Sequence, residues 1–287
     1  MSTHNRCIIE SLELPKDCDL ELRNLEMRGD EPDVDKEKQR FVNTFYHGNF
    51  KKYAATLGGF RVILKLSDME HYPELPLVEY LCNKVAQLLG IHVARFGILE
   101  LDGRPAFVTR NFVNKGAENL VHLYRYLSAK DRYDLETIAA TIQKVTQRLA
   151  DVHRFFEICM FDMIIGNNDR HGRNLGFIEN GGSSRLSPFY DNVTILGAES
   201  GEFFLGTHWN PKSKIAASIN DAPSLLEIVT EVQRLGQTSL VKRMQSRISK
   251  SEPEILEYIN QEDKLSTPMK KALTRLWHER ITQFKNI

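Results

Sequence analysis

The sequence predicts an α+β chain of two lobes, a small β-rich N-lobe over residues 41–112 and a larger helical C-lobe over 113–287, behind an acidic N-terminal segment of residues 1–40. Three observations predict it. The chain has 287 residues and a mass of 33.0 kDa, too long for one small domain and suited to two lobes. Between residues 51 and 112, short apolar runs of strand character are separated by glycine turns. After Phe112 the apolar period lengthens to that of helices.

Residues 1–40 carry eleven Asp/Glu against seven Lys/Arg, a net of −4. The most charged part, 26–40, contains Gly29-Asp30-Glu31-Pro32-Asp33 and reads as a partly mobile arm. Residues 7–22 alternate enough to read as a strand. Residues 51–57 and 60–66 read as two strands joined at Gly58-Gly59. Residues 76–89 place Leu77, Val78, Leu81, Val85, Leu88 and Leu89 at helical spacing, opened by Pro76 and closed by Gly90. Residues 93–101 and 105–112 are two more strands around Asp102-Gly103. In the second lobe, Ser128 to Asp131 has the form of a capping box. Leu135, Ile138, Ile142, Val145, Leu149 and Val152 form one apolar stripe. Residues 155–165 are apolar apart from Glu157 and Asp162, as in a buried helix. A second capping box at Ser224–Glu227 opens a helix, and 253–260 and 268–284 close the chain as helices. There is no internal repeat, and a ligand site is expected in the cleft between lobes.

Composition excludes several classes. Lys+Arg and Asp+Glu are both 38, so the basic excess of a nucleic-acid binder is missing and no direct nucleic-acid binding is expected. No apolar stretch approaches the roughly 18–20 residues of a membrane span, and no apolar h-region follows the N-terminus. The four cysteines, at 7, 18, 82 and 159, have no paired spacing, which argues against a disulfide framework or zinc site and for a reducing, cytoplasmic location.

The chemistry concentrates at Ile164-Ile165-Gly166-Asn167-Asn168-Asp169-Arg170-His171-Gly172-Arg173-Asn174-Leu175-Gly176-Phe177, where a buried apolar run ends in a polar loop and returns as a strand. Asp169 and Asn174 stand five residues apart. Protein kinases use that spacing in the catalytic loop, where the Asp accepts the substrate hydroxyl proton and the Asn holds Mg2+. Downstream, Leu186-Ser187-Pro188-Phe189-Tyr190-Asp191-Asn192 presents a carboxylate after a short apolar strand, a hard oxygen ligand suited to Mg2+. Upstream, Val62-Ile63-Leu64-Lys65 resembles the strand whose Lys neutralises nucleotide phosphates, and Glu79 lies where it could pair with Lys65.

These residues resemble the HipA-like kinase family, whose founding members are toxins of bacterial toxin–antitoxin modules. Asn168 to Asn174 and Pro188-Phe189-Tyr190-Asp191 are similar to its catalytic-loop and metal-Asp motifs. Gly48-Asn49-Phe50-Lys51-Lys52 resembles its phosphate loop, and Val108-Thr109-Arg110-Asn111-Phe112 lies where its hinge would be. The resemblance covers roughly 41–215 and fits the family's compact members. It implies a two-lobed protein-kinase-like fold, ATP and Mg2+ as cofactors, and transfer of the γ-phosphate to a Ser/Thr hydroxyl of a protein, with an antitoxin-like protein as a further partner. It implies Asp169 as catalytic residue, Lys65, Glu79, Lys51, Lys52, Asn111 and Phe112 as nucleotide contacts, and Asn174 and Asp191 as metal ligands. His47-Gly48-Asn49-Phe50 has no hydroxyl, so self-inactivation by phosphorylation within that loop is not expected. Replacing Lys65 by Met is expected to weaken nucleotide use with the fold intact. Two other readings stay open: a phosphoinositide kinase, weakened by the scarcity of Lys and Arg over 192–220, and a kinase-fold binding partner with weak or no catalysis. Delivery to a host cell as an effector also stays open.

Overall fold

A computed structural model describes residues 3–16, 18, 20–28, 34–35, 40–41, 52–66, 73–113, 116–194 and 210–287. It divides into a first unit of residues 1–80 and 94–112 and a second of residues 81–93 and 113–287.

The first unit is built on a five-stranded antiparallel sheet. Its strands are β1 (Arg23–Arg28), β4 (Lys52–Leu57), β5 (Phe60–Leu66), β6 (Phe96–Leu101) and β7 (Arg104–Arg110), in the order β1-β4-β5-β7-β6. A short pair, β2 (Val34–Asp35) with β3 (Arg40–Phe41), lies outside this sheet. Gly58 and Gly59 turn between β4 and β5 at φ +55° and +83°. Asp102 and Gly103 do the same between β6 and β7 at +49° and +74°. Two left-handed residues in a two-residue loop match the right-handed twist of the flanking strands, which is why these sequences make hairpins.

Strand pairing sorts side chains by face. Ala55, Leu57, Val62, Leu64, Ala106 and Val108 form a core with Ile8, Ile9, Leu12 and Leu14. Ile63 and Lys65 stand on the other face of β5. The residues at 8, 9, 12 and 14 belong to helix α1 (Thr3–Leu12) and its exit, where the sequence pattern predicts a strand over 7–22. The apolar run is too short for its period to decide between strand and helix. What decides is burial of one helical face on the sheet, with Glu13 at φ +48° and Leu14 N–H bonded to the Ile9 carbonyl at 2.9 Å closing the helix. Most of the charged arm over 26–40 lies outside the described residues.

Helix α2 (Leu75–Leu88) begins in the first unit and continues in the second. The second unit then has a three-stranded antiparallel sheet of β8 (Asn119–His122), β9 (Gly176–Asn180) and β10 (Ser183–Leu186), ordered β10-β9-β8. Its helices are α3 (Leu135–Thr146), α4 (Leu149–Ile165), α5 (Leu225–Arg234), α6 (Thr238–Gln261) and α7 (Thr267–Lys285). α4 is the central element and packs against α3, α5, α6 and α7. Every residue from Phe155 to Ile165 except Glu157 is buried.

The expected stripe from Leu135 to Val152 is not one helix. Gln147 takes φ +55°, and Leu149 beyond it is 58% exposed. The predicted cap at 128–131 is a turn, with Ser128 N–H bonded to Asp131 Oδ2; α3 starts later, where Asp134 accepts from Thr137 N–H at 2.8 Å. The Ser224–Glu227 capping box is present in full at the start of α5. α6 runs through Pro253 and takes in the helix predicted over 253–260.

Candidate active site

In the first unit, the Lys65 ammonium lies 2.7 Å from both carboxylate oxygens of Glu79. Lys65 comes from β5 and Glu79 from the first turns of α2. They are 6% and 1% exposed, so each charge depends on the other. The fold is therefore not indifferent to Lys65, contrary to the sequence-based expectation: a Met there would leave a buried carboxylate without its cation. Lys52, also buried, is the cross-strand partner of Lys65. Asn111 and Phe112 follow β7, and the Asn111 N–H bonds the Arg61 carbonyl at 2.8 Å. Lys51 and the phosphate-loop residues 47–50 lie outside the described residues.

In the second unit, α4 ends where Gly166 turns left-handed at φ +77° and releases the chain into the loop of residues 167–175. Inward- and outward-facing residues interleave along this loop. Asn167, Arg170 and Asn174 are buried, while Asp169 between them is exposed, with 68% of its side chain accessible. The Arg170 guanidinium organises the interior. Its Nε donates to Asp162 Oδ2 at 2.7 Å and its Nη2 to Asp162 Oδ1 at 2.8 Å. The same Nη2 reaches Asn192 Oδ1 at 2.7 Å, and Nη1 donates to the carbonyls of Tyr190 at 2.9 Å and Asn174 at 3.3 Å. Burial pushes the Asp162 carboxyl up, against the charge and hydrogen bonds of Arg170. Burial alone would lower Arg170, but Asp162 outweighs it and holds the guanidinium above its ordinary value. The pair is ionised, because the carboxylate accepts a third bond from Asn167 Nδ2 at 2.9 Å and a guanidinium stays protonated in proteins.

That core holds the predicted residues. Asn174 Nδ2 donates to the Asp169 carbonyl at 3.0 Å, and Asn167 Oδ1 accepts from the Asp169 N–H at 3.0 Å. Asp191 takes φ +54° between two residues that Arg170 grips. His171 Nε2 lies 3.7 Å from Asp169 Oδ2; burial lowers its imidazole while Asp169 pulls the other way. Tyr190 donates to the Arg173 carbonyl at 2.9 Å and lies 3.3 Å from His122 Nδ1. Burial brings His122 down to about 4, so it is neutral near pH 7.

The structure thus joins Lys65 to Glu79, and Asp169, Asn174 and Asp191 to one Arg170-centred network. Sequence reasoning missed Asp162, Asn192, Asn83 and His122 as parts of it. Asp162 did leave a signal, because an acid in an otherwise apolar helix requires a cation. Among the described residues no group of three or more His, Cys, Asp or Glu is arranged to hold a metal by itself. One carboxylate, Asp191, with one amide, Asn174, fits a Mg2+ that takes its remaining ligands from phosphate and water. No helix among the described residues is long and apolar enough to cross a membrane.

Comparison with solved structures gives the class, a kinase-like fold. The Helicobacter pylori proinflammatory kinase CtkA superposes with a TM-score of 0.66 at 15% identity, over 82% of this chain and 93% of that one. A chain of the Shewanella oneidensis toxin–antitoxin complex of HipA, HipB and operator DNA gives 0.60 at 14% identity, over 100% and 79%. The model of the HipA-like C-terminal domain matches residues 39–258, and the chain belongs to that family. A Haemophilus influenzae protein named as a kinase is 29% identical over an alignment of 154 positions, and the match covers 46% of this chain and 45% of that relative, less than half of its length.

Proposed function

We propose that the chain is an ATP- and Mg2+-dependent protein kinase that transfers the γ-phosphate to a Ser/Thr hydroxyl. The observation that carries this reading is Asp169: an exposed carboxylate on a loop whose buried polar side chains, Asn167, Arg170 and Asn174, hold the loop's shape. In this reading Asp169 accepts the proton of the acceptor hydroxyl as its oxygen bonds to phosphorus and the bond to ADP breaks. Lys65, held by Glu79, neutralises phosphate charge, with Lys51 and Lys52 adding to it. Asn111 and Phe112 flank the adenine. Asn174 and Asp191 supply the oxygens for Mg2+, which when bound neutralises phosphate charge. Membership of the HipA-like family supports nucleotide and metal use in general. The naming of HipB in the Shewanella toxin–antitoxin complex supports an antitoxin-like protein as an additional partner. A cytoplasmic location belongs to the same reading.

The test pairs acceptors with nucleotide affinity. Labelled ATP with cell-extract proteins should give phosphoserine or phosphothreonine, and phosphoinositide vesicles should stay unlabelled. Asp191→Ala should abolish the Mg2+-dependent part of ATP affinity. Labelled lipid with unlabelled protein would replace this reading by the lipid-kinase one. Unchanged Mg2+ dependence in Asp191→Ala would remove that residue from the metal site.

A further inference from the structure

Asn83, in the middle of α2, is 3% exposed, and Asn192, next to Asp191, is fully buried. Neither takes part in the chemistry proposed above. The Asn192 amide is used at both ends: its Nδ2 donates to Asn83 Oδ1 at 2.9 Å, and its Oδ1 accepts from Arg170 Nη2 at 2.7 Å. Donor and acceptor ends have different partners, so turning the amide over would lose both bonds and bury unsatisfied polar atoms. On the other side of Asp191, the Tyr190 carbonyl is held by Arg170 Nη1. Asp191 stands between these two anchors at φ +54°, a left-handed conformation that is uncommon outside glycine and is tolerated by aspartate in turns.

We propose that Asn83 is a positioning residue for the metal site: by anchoring Asn192 it fixes the Asp191 turn and so the direction in which the Asp191 carboxylate meets a divalent cation. This rests on the reading of Asp191 as a metal ligand. Arg170 alone does not fix the turn, because its two contacts come from one side chain; Asn83 supplies the second origin. α2 is suited to the task, since one turn earlier it carries Glu79, the partner of Lys65.

The test uses the full chain with Asn83→Leu, which keeps the branched shape and deletes the acceptor, and Asn83→Asp, which keeps the acceptor. Two readouts are needed: hydrogen exchange over residues 186–194, and Mn2+ affinity by electron paramagnetic resonance with a non-hydrolysable ATP analogue. Asn83→Leu should speed exchange there and weaken Mn2+ by about 10–100-fold, as loss of an outer-shell partner of a metal ligand does. Asn83→Asp, which still accepts from Asn192, should lie closer to wild type than Asn83→Leu in both. Should Leu prove too bulky to fold, Asn83→Ala gives the same comparison. Faster exchange with unchanged Mn2+ affinity would make Asn83 a packing residue only and overturn the proposal, as would no change in either. If the wild type itself shows no nucleotide-dependent Mn2+ binding, the functional reading fails. The exchange data then judge the anchor alone, with unchanged exchange in the Leu variant overturning it.

Discussion

Asp162 and Asp169 lie seven residues apart on either side of the turn at Gly166, and they have opposite surroundings. Asp162 is 4% exposed and accepts three side-chain hydrogen bonds, two of them from Arg170. Asp169 keeps 68% of its side chain open, and its loop is held through its backbone N–H and carbonyl. The inner carboxylate spends its charge on the loop's shape. The outer one leaves its charge for whatever approaches. The difference teaches that residue type alone does not single out a candidate reactive acid; what singles it out is the absence of a structural task for its oxygens.

The largest expected effects separate the two tasks. Asp169→Asn should lower phosphoryl transfer by about 10²–10⁴-fold, the usual loss of a general base. Its denaturation midpoint should match the wild type, because no buried contact is lost. Single-turnover transfer and a urea titration of the same sample read both. An equal loss of stability would mean that Asp169 is structural after all, and the contrast with Asp162 would fail.

Arg170→Met is the converse. It leaves the buried Asp162 without its cation and releases the Tyr190 and Asn174 carbonyls and the Asn192 amide, at a cost of about 3–5 kcal/mol. The urea midpoint should fall with little change in slope. A change within about 0.5 kcal/mol, the usual range for surface substitutions, would remove Arg170 from the centre of the network.

The third prediction concerns a neutral member of the interior. His122 titrates near 6.5 when unfolded and near 4 in the fold, chiefly through burial. Between those values the unfolded chain binds the extra proton. Stability therefore rises with pH in that window, is fully present above 6.5 and is lost as pH falls towards 4. The change attributable to His122 is up to about 3 kcal/mol. His92 and His171 are lowered too, so the measurement is the difference between wild type and His122→Gln across the window. Parallel curves would show that His122 carries none of the acid sensitivity.

What could be read in the sequence was local. Both first-unit hairpins were legible because Gly58-Gly59 and Asp102-Gly103 state their turn type, and α2 because Pro76 and Gly90 bracket it. The D-x-x-x-x-N spacing named Asp169 and Asn174 for the same reason. What was not legible depends on distance or on surroundings. The Asn83–Asn192 bond joins residues 109 positions apart, which no periodicity reports. The break at Gln147 gives no glycine signal, because a glutamine takes the left-handed position there. α1 looked like a strand because its helical character comes from the sheet that it covers.

The smallest expected effect belongs to Arg110, a second guanidinium that grips carbonyls but at a partly exposed site of the first unit. Its Nη1 donates to the Leu12 and Glu13 carbonyls at 3.0 and 2.9 Å, and the group lies over the Phe60 ring at 3.7 Å from the centroid. It thus ties the C-terminal end of α1 to the last residue of β7. Arg110→Met keeps much of the apolar cover on Phe60 and deletes the donors. Water can reach the released carbonyls, so the loss should be only about 1 kcal/mol, that of ordinary hydrogen bonds, against several for Arg170. It should also be local. Hydrogen exchange over residues 8–12 should speed up by roughly fivefold, the equivalent of that free energy, while exchange in α4 stays unchanged. If Arg110→Met destabilised the chain as much as Arg170→Met, burial would not be what separates the two guanidinium sites, and the contrast between inner and outer charges would lose its physical basis.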